Sequence, residues 1–230
     1  MKNAADLLQA IAAVGWLALA VFIGVALRAI LRSRGGDLTK LSVGPSGLTA
    51  EFVSSKLDEA SKGGSTPAPS PIAKSVVVQR LHEQAAVLAR AHILWVDDHP
   101  ENNASIVELL SNYGVDVEVA LTNAEALAQL TRHPKRYDVL ISDMGRDNEP
   151  AAGPFPGAAF ATQALQQTGA RTILFTGRFR PTSVPGLTPD QLLELVRTIE
   201  AATFGRTNRA EELIHLILDV LERSPRIASS

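Results

Sequence analysis

The chain has no cysteine and no surplus of charge of either sign. The missing cysteines exclude disulfides, thiolate zinc sites and cysteine nucleophiles, and they fit a domain that faces a reducing compartment. With 22 basic and 24 acidic residues the formal net charge is −2, so no basic surface is indicated and we expect no nucleic-acid partner. The 230 residues, 46% of them hydrophobic, are enough for one globular domain with appendages.

Residues 7–27 form a run of 21 residues without a formal charge. A helix rises about 1.5 Å per residue, so a run of this length matches the hydrocarbon core of a bilayer, about 30 Å thick. A cleaved signal peptide is the alternative, but the run is too long for one, and its leading Lys2 is offset by Asp6. The run therefore predicts a retained transmembrane helix.

Three arginines, Arg28, Arg32 and Arg34, closely follow this run, whereas a single lysine precedes it. The positive-inside rule then places the N-terminus outside the cell and the rest of the chain in the cytoplasm. We predict a single-pass inner-membrane protein in which residues 1–34 are the anchor and its basic flank.

Residues 35–91 separate the predicted anchor from the main domain. Within 35–60, apolar and polar residues alternate around a Gly-Pro-Ser-Gly turn, which predicts a juxtamembrane β-hairpin, with a linker of no defined role as the alternative. Residues 61–74 are rich in Gly, Ser and Pro and predict a flexible linker. Residues 75–91 predict an amphipathic helix that covers the domain or pairs with a second copy, and covering is favoured.

From residue 92 to 224, β-branched apolar runs alternate with helical patterns. Strands are predicted at 92–96, 115–120, 137–142, 171–177 and 201–204, and helices at 101–114, 122–133, 157–169, 188–200 and 209–223. This alternation predicts an α/β domain with a five-stranded parallel sheet covered by helices on both faces, followed by a tail at 225–230.

Polar residues suited to chemistry follow these predicted strands. Asp97 and Asp98 follow the first strand, Asp143 the third, and Thr176 lies at the end of the fourth. Ligands of such sheets bind beyond the carboxyl ends of the strands, where three converging carboxylates repel one another. Mg²⁺ would remove this conflict because it prefers carboxylate oxygens. We therefore predict a Mg²⁺ site in which Asp143 is a nucleophile towards phosphate and Thr176 donates a hydrogen bond to the product.

The segments "ILWVDDHPENN", "YDVLISDMG" and "ILFTG" together resemble the receiver domain of bacterial response regulators. The resemblance covers residues 92–223 and implies a flavodoxin-like fold. It also implies that Asp98, Asp143 and the main-chain carbonyl of Gly145 bind Mg²⁺ directly, with Asp97 acting through water. By the same resemblance, Asp143 would accept a phosphoryl group from a histidine kinase or phosphotransfer protein, and Thr176 would act as the switch.

The segment after the fifth strand departs from the pattern of that family. Receivers place Lys followed by Pro there, whereas this chain has "TFGRTNRAEEL". Asn208 or Arg209 occupies the lysine position, depending on register, and an arginine fork does not replace a compact ammonium. The loop after Asp143 is also longer than usual, and we interpret its Arg146 and Asn148 as part of a flexible rim.

Three classes of function follow from these features. The acidic triad supports a membrane-tethered phosphorelay receiver, and the missing lysine supports a pseudo-receiver that acts as an interaction or scaffold module without phosphorylation. A phosphohydrolase with Asp143 as nucleophile is disfavoured, because such enzymes usually carry a second acid two residues later, where this chain has Gly145. We expect a signalling protein and not an enzyme, with output through protein partners or self-association and not through an attached DNA-binding domain.

Overall fold

The computed structural model describes residues 50–63, 66–149, 155–176 and 188–223. Its strands are β1 His92–Val96, β2 Asp116–Ala120, β3 Val139–Asp143, β4 Thr172–Phe175 and β5 Thr203–Thr207. Its helices are α1 Ala50–Gly63, α2 Pro71–Glu83, α3 Ala85–Leu88, α4 Ala104–Asn112, α5 Asn123–Arg132, α6 Pro156–Thr168, α7 Pro189–Ala202 and α8 Ala210–Arg223, with a 3-10 turn at Pro100–Asn103.

The five strands form one parallel sheet in the order β2-β1-β3-β4-β5. This is the flavodoxin-like order, in which β1 and β3 flank the point where the direction of winding reverses. Loops that leave the carboxyl ends of β1 and β3 diverge there and open a crevice. The predicted five-stranded parallel sheet is thereby confirmed.

The core lies on both faces of the sheet, since side chains of a strand alternate between its faces. In β1, Ile93 and Trp95 pack in one cluster with α4 and α8. Leu94 and Val96 pack in the other with α5 and α6. Because all four side chains are buried, β1 is held rigidly from both sides, and so is the position of the two residues that follow it.

Strand β5 lies further along the chain than its prediction at 201–204. Helix α7 continues through Ala201 and Ala202, and the strand runs from Thr203 to Thr207. Alanine has the highest intrinsic helix propensity, so the two alanines extend the helix and do not start the strand. As a consequence, Asn208 is the first residue beyond the carboxyl end of β5.

The predicted hairpin at 35–60 is wrong over the residues that the structure describes, because residues 50–60 belong to helix α1. Val53, Leu57 and Ala60 recur at the helical spacing and are buried in the core. The alternation around the Gly-Pro-Ser-Gly turn ends at Phe52, so it overlaps only the first three residues of α1. Residues 35–49 lie outside the described residues.

The predicted flexible linker at 61–74 is also wrong in part. Residues 61–63 complete α1, and the Ser61 hydroxyl is buried and donates to the Leu57 carbonyl at 2.9 Å. Helix α2 begins at Pro71, where the Ser70 hydroxyl accepts the Ala73 amide at 3.2 Å. Serine before proline at the first helical position is a helix-start signature that the Gly/Ser/Pro composition concealed.

Helices α1 and α2 form a pair that packs on the outer side of α4 and α8, and we call it the helical pair. The side of the pair that faces the domain is completely buried, at Val53, Leu57, Val77 and Leu81. Ion pairs support the contact, with Lys56 bonding Glu108 of α4 at 2.8 Å and Arg80 bonding Asp219 of α8 at 2.7 Å. Residues 75–91 do not form the single helix predicted, because α2 ends at Glu83 and the short α3 spans Ala85–Leu88. Val77, Leu81 and Leu88 in this stretch are buried in the core.

The predicted transmembrane helix at 7–27 lies outside the described residues. Within the part of the chain that the structure does describe, no helix has the length and apolar character needed to cross a bilayer.

The packing of the helical pair predicts the effect of Leu57→Ala. The side chain is fully buried, so its truncation should lower the free energy of unfolding by about 2–5 kcal/mol. Ile72→Ala on α2 is the matched control, because Ile72 is 77% exposed and its loss should cost less than about 0.5 kcal/mol. Urea unfolding of the full-length protein measures both. Equal, small effects would mean that the pair is not part of the core.

Candidate metal centre

Three aspartates meet at the carboxyl edge of the sheet. Asp97 and Asp98 directly follow β1, and Asp143 is the last residue of β3. One carboxylate oxygen of each lies within 4.8 Å of the other two. Neighbouring parallel strands place their ends side by side, so the sequence prediction that these residues converge is confirmed.

Asp97 is the most deeply placed of the three, with 3% of its surface exposed. Its Oδ1 accepts the His99 amide at 2.9 Å and its Oδ2 accepts the Asn103 side-chain amide at 2.6 Å. Both oxygens of this buried side chain therefore accept a hydrogen bond, as buried polar groups require. The 3-10 turn after β1 supplies one donor and thereby fixes this side chain.

Asp98 is held by the loop after β3. Its Oδ2 accepts the backbone amides of Asp147 at 2.9 Å and Asn148 at 3.4 Å. These two bonds occupy one carboxylate oxygen. The other oxygen has no amide partner from this loop, so it is the one suited to a cation.

Asp143 has the most perturbed ionisation at this edge. Burial raises the pKa of its carboxyl group to about 6, and the Asp97 charge acts in the same direction. The Met144 amide, which donates to Oδ1 at 2.7 Å, opposes this increase. The ionised form of Asp143 is therefore disfavoured, first by burial and second by the Asp97 charge, and a bound cation would favour it.

These aspartates line a cavity of about 250 Å³. Three of the other predicted residues, Gly145, Thr176 and Asn208, line it as well. Thr176 is nearly buried, and its amide donates to the carbonyl of Thr207 at 2.9 Å, which ties the end of β4 to the end of β5.

Arg209 does not line this cavity. Its guanidinium pairs with Glu211 and, at 3.4 Å, with Glu212, so it points along α8. Of the two candidates for the lysine position, Asn208 lines the cavity and Arg209 does not. Among the described residues that line the cavity, no lysine or arginine is present.

Several cavity residues were not predicted as site residues from the sequence. Gly63 at the end of α1, Asn103, Asp147 and Phe175 line the cavity, and His99 does so with a half-exposed side chain. Asn103 and Asp147 lie in the segments that follow Asp98 and Asp143, so adjacency to a strand end was their available signal. Gly63 is brought there only by tertiary packing.

Arg146 is not part of a flexible rim, contrary to the sequence interpretation. Its side chain has no exposed surface and bonds Glu149 at 2.7 Å and Ser142 at 2.8 Å. Asn148 is also anchored, because its side-chain amide donates to the Leu121 carbonyl at 2.9 Å. The described part of this long loop is therefore ordered by its own polar side chains.

The donor set fits a hard divalent cation. All three clustered side chains offer carboxylate oxygens, and the cluster includes no imidazole. Carboxylate, carbonyl and water oxygens are the ligands that Mg²⁺ prefers. Asp98, Asp143 and the carbonyl of Gly145 are the candidates for direct contact, and Asp97, with both oxygens already bonded, suits contact through water.

No protein-family model matches the sequence, and no curated protein matches it. Solved structures similar to the chain include receiver domains of response regulators. A receiver domain from Clostridium thermocellum is 23% identical with a TM-score of 0.45, covering 58% of this chain and 95% of that one. A two-component response regulator from Clostridium difficile is 15% identical with a TM-score of 0.44, covering 58% and 97%. The non-phosphorylated HemR receiver domain of Leptospira biflexa is 17% identical with a TM-score of 0.43, covering 58% and 96%. Similarity of this degree assigns no function to the chain.

The raised pKa of Asp143 predicts that Asp143→Asn stabilises the metal-free protein at neutral pH. With a folded pKa of about 6 against an ordinary 3.8, the folded state binds more protons than the unfolded state between these values. Stability therefore falls as pH rises through this window, by at most about 3 kcal/mol. The variant should melt above wild type at pH 7 and close to it at pH 4, without divalent cations.

Asp116→Asn at the opposite end of the strands is the control for this experiment, because its carboxylate is half exposed and lies at the start of β2. It should not raise the melting temperature at pH 7. If Asp143→Asn is no more stable than wild type at pH 7, the ionised Asp143 carboxylate is not disfavoured in the folded protein.

The close packing of Gly157 at the start of α6 predicts that a larger side chain there destabilises the protein. A Cβ there would lie 2.1 Å from the Asp143 carbonyl oxygen and 2.8 Å from the Met144 Cα. Backbone atoms must shift to admit it, so Gly157→Ala should cost more than about 2 kcal/mol of stability. Gly145→Ala is the control, since a Cβ there meets nothing within 4 Å. Urea unfolding compares the two, and equal costs would contradict the close packing of Gly157.

Proposed function

We propose that this chain is a membrane-anchored signalling protein with a receiver-like domain, which accepts a phosphoryl group on Asp143 with Mg²⁺. The observation that supports the proposal most directly is the acidic cluster, in which oxygens of Asp97, Asp98 and Asp143 lie within 4.8 Å of one another. The cluster lies beside the switch point of the parallel sheet, where ligands of such folds bind.

The proposed cation would be held by Asp98, Asp143 and the Gly145 carbonyl, with Asp97 acting through water. When bound, Mg²⁺ neutralises phosphoryl oxygens and lowers the repulsion between the carboxylates and an incoming phosphate. The buried environment strengthens this electrostatic effect.

The proposed chemistry at Asp143 is a phosphoryl transfer. One carboxylate oxygen of Asp143 attacks phosphorus, the bond from phosphorus to the donor breaks, and its electron pair leaves with the donor. The product is an acyl phosphate on Asp143. Thr176 and Asn208, which line the same cavity, would donate hydrogen bonds to its oxygens, and Asn208 would stand at the position where receivers have lysine.

The proposed donor is a histidine kinase or phosphotransfer protein, and the output is contact with a protein partner or a second copy of this chain. We propose no turnover of a substrate, because Gly145 leaves no second acid two residues after Asp143 to protonate a leaving group. The anchor proposed for residues 7–27 would hold this domain at the cytoplasmic side of the inner membrane, as a single-pass protein.

A pseudo-receiver that signals without phosphate is the second candidate. It is favoured by one observation, which is that no lysine or arginine lines the cavity among the residues that the structure describes. In that case the acidic cluster would bind a cation or remain a structural feature, and the function would lie in the protein contacts of the domain.

Acetyl phosphate with Mg²⁺ distinguishes the two candidates. Full-length protein is used because the helical pair belongs to the core. We expect a mass increase of one phosphoryl group that depends on Mg²⁺, is absent in Asp143→Asn, and is lost on chelation with EDTA. Thr176→Ala should keep the acceptor but reduce the yield or lifetime of the acyl phosphate.

Asp147→Asn is the matched control for the acceptor, since it removes a second cavity carboxylate that is not in the acidic cluster. It should be phosphorylated as wild type is. No mass increase in the wild type, together with no Mg²⁺ binding by titration calorimetry, would overturn the phosphoacceptor proposal and favour the pseudo-receiver.

A further inference from the structure

A buried guanidinium lies next to the acidic cluster and is not explained by phosphoryl transfer. The Arg146 side chain is 0% exposed. Its Nε donates to Glu149 at 2.7 Å, and its Nη1 donates to the Ser142 hydroxyl and to the Asp143 carbonyl, each at 2.8 Å. Its Nη2 donates to the Asn123 side-chain oxygen. Burying this charge is costly unless its donors are satisfied, so the fold keeps it at a specific place.

The bonds of Arg146 join three segments at the carboxyl edge of the sheet. Ser142 and Asp143 belong to β3, Glu149 to the loop after β3, and Asn123 to the start of α5. Glu149 also accepts the Asn123 backbone amide at 2.9 Å, and the Asn123 side-chain amide donates to the Pro156 carbonyl at 3.0 Å. The network therefore holds the loop to β3 on one side and to the starts of two helices on the other.

The loop held by this network delivers the amides that orient Asp98. Asp147 and Asn148 lie between Arg146 and Glu149, the two residues that form the buried ion pair. Their backbone amides donate to the same oxygen of Asp98. The ion pair therefore flanks the two amide donors in sequence, and it holds the segment that carries them.

We propose that Arg146 is a positioning residue of the acidic cluster, which acts on Asp98 through the amides of Asp147 and Asn148. It fixes the loop so that one Asp98 oxygen is bonded to these amides and the other is left without an amide bond from this loop. The inference deepens the proposed function and rests on it in one respect, since the oxygen so oriented is a ligand of the proposed Mg²⁺ site.

Partners that orient a ligand without touching the metal typically change metal affinity about 10–100-fold when they are removed. Arg146→Gln removes the positive charge and the planar guanidinium, so Mg²⁺ affinity should fall by a factor in this range. Arg146→Lys keeps the charge but cannot bond Glu149, Ser142 and Asn123 together. Its Mg²⁺ affinity should therefore lie between that of wild type and that of Arg146→Gln. Titration calorimetry of the full-length protein with MgCl₂ measures the affinities.

A direct readout of the loop is deuterium uptake in peptides that cover residues 144–149. In Arg146→Gln the amides of Asp147 and Asn148 should exchange faster than in wild type, because the loop that carries them is no longer held against Asp98. Arg80→Gln is the matched control, since Arg80 is a largely buried arginine paired with Asp219 and Glu222 on α8. It should lower stability without changing Mg²⁺ affinity or exchange at 144–149.

The outcomes separate this inference from the proposed function. Faster exchange at 144–149 in Arg146→Gln but not in Arg80→Gln supports the positioning role, whether or not the wild type binds Mg²⁺. Unchanged exchange at 144–149 overturns it, as does an unchanged Mg²⁺ affinity in a wild type that binds the ion. Absence of Mg²⁺ binding by the wild type overturns the metal site of the proposed function and leaves exchange as the deciding measurement.

Discussion

Repulsion among Asp97, Asp98 and Asp143 is the constraint on which the architecture of this domain depends. Like charges this close are unfavourable in a partly buried site, and the pKa of Asp143 is raised first by burial and second by the neighbouring Asp97 charge. Two buried strands hold the side chains together despite the repulsion, since β1 and β3 cannot separate without breaking the sheet. Backbone and side-chain amides that donate to each carboxylate offset part of the cost and decide which oxygens remain available.

The loop after β3 shows how the fold accommodates this constraint. A long loop would ordinarily leave its side chains loosely placed, but here the buried Arg146–Glu149 ion pair and the close approach of Gly157 to the Asp143 carbonyl order the described part of it. The same loop then supplies the donors for Asp98. Stability and site geometry are therefore coupled in this segment, because the bonds that satisfy a buried charge also orient a carboxylate.

The helical pair changes how the N-terminal part of the chain relates to the site. Helix α1 is part of the core and ends at Gly63 on the rim of the acidic cavity, where a Cβ would lie 2.9 Å from the Asn102 carbonyl oxygen. Helix α1 is packed in the same core cluster as residues of β1 and β3, the strands at whose ends the acidic cluster lies.

Much of the fold and of the site was predictable from the sequence. The order of strands and helices from residue 92 onwards follows from hydrophobic periodicity and helix-start signals, and three aspartates at strand ends predict an acidic cluster because parallel strands end at one edge. The helix α1 was missed because its apolar spacing follows directly on a stretch that alternates like a strand. Strand β5 was predicted too early in the chain because Ala201 and Ala202 suit a helix better than a strand.

Local sequence determined the elements and the residues placed at their ends, because periodicity, capping and strand-end position depend on neighbours along the chain. Only the tertiary structure decided that Asn208 and not Arg209 lines the cavity, that Gly63 reaches its rim, and that Arg146 is buried next to Asp143. Gly63 and Arg146 meet partners distant in sequence, Asn102 and Asn123. Arg209 pairs with its neighbours Glu211 and Glu212, and only the folded chain shows that this leaves Asn208 to line the cavity. A side chain with several possible partners is placed by the nearest ones in space, which the sequence alone does not identify.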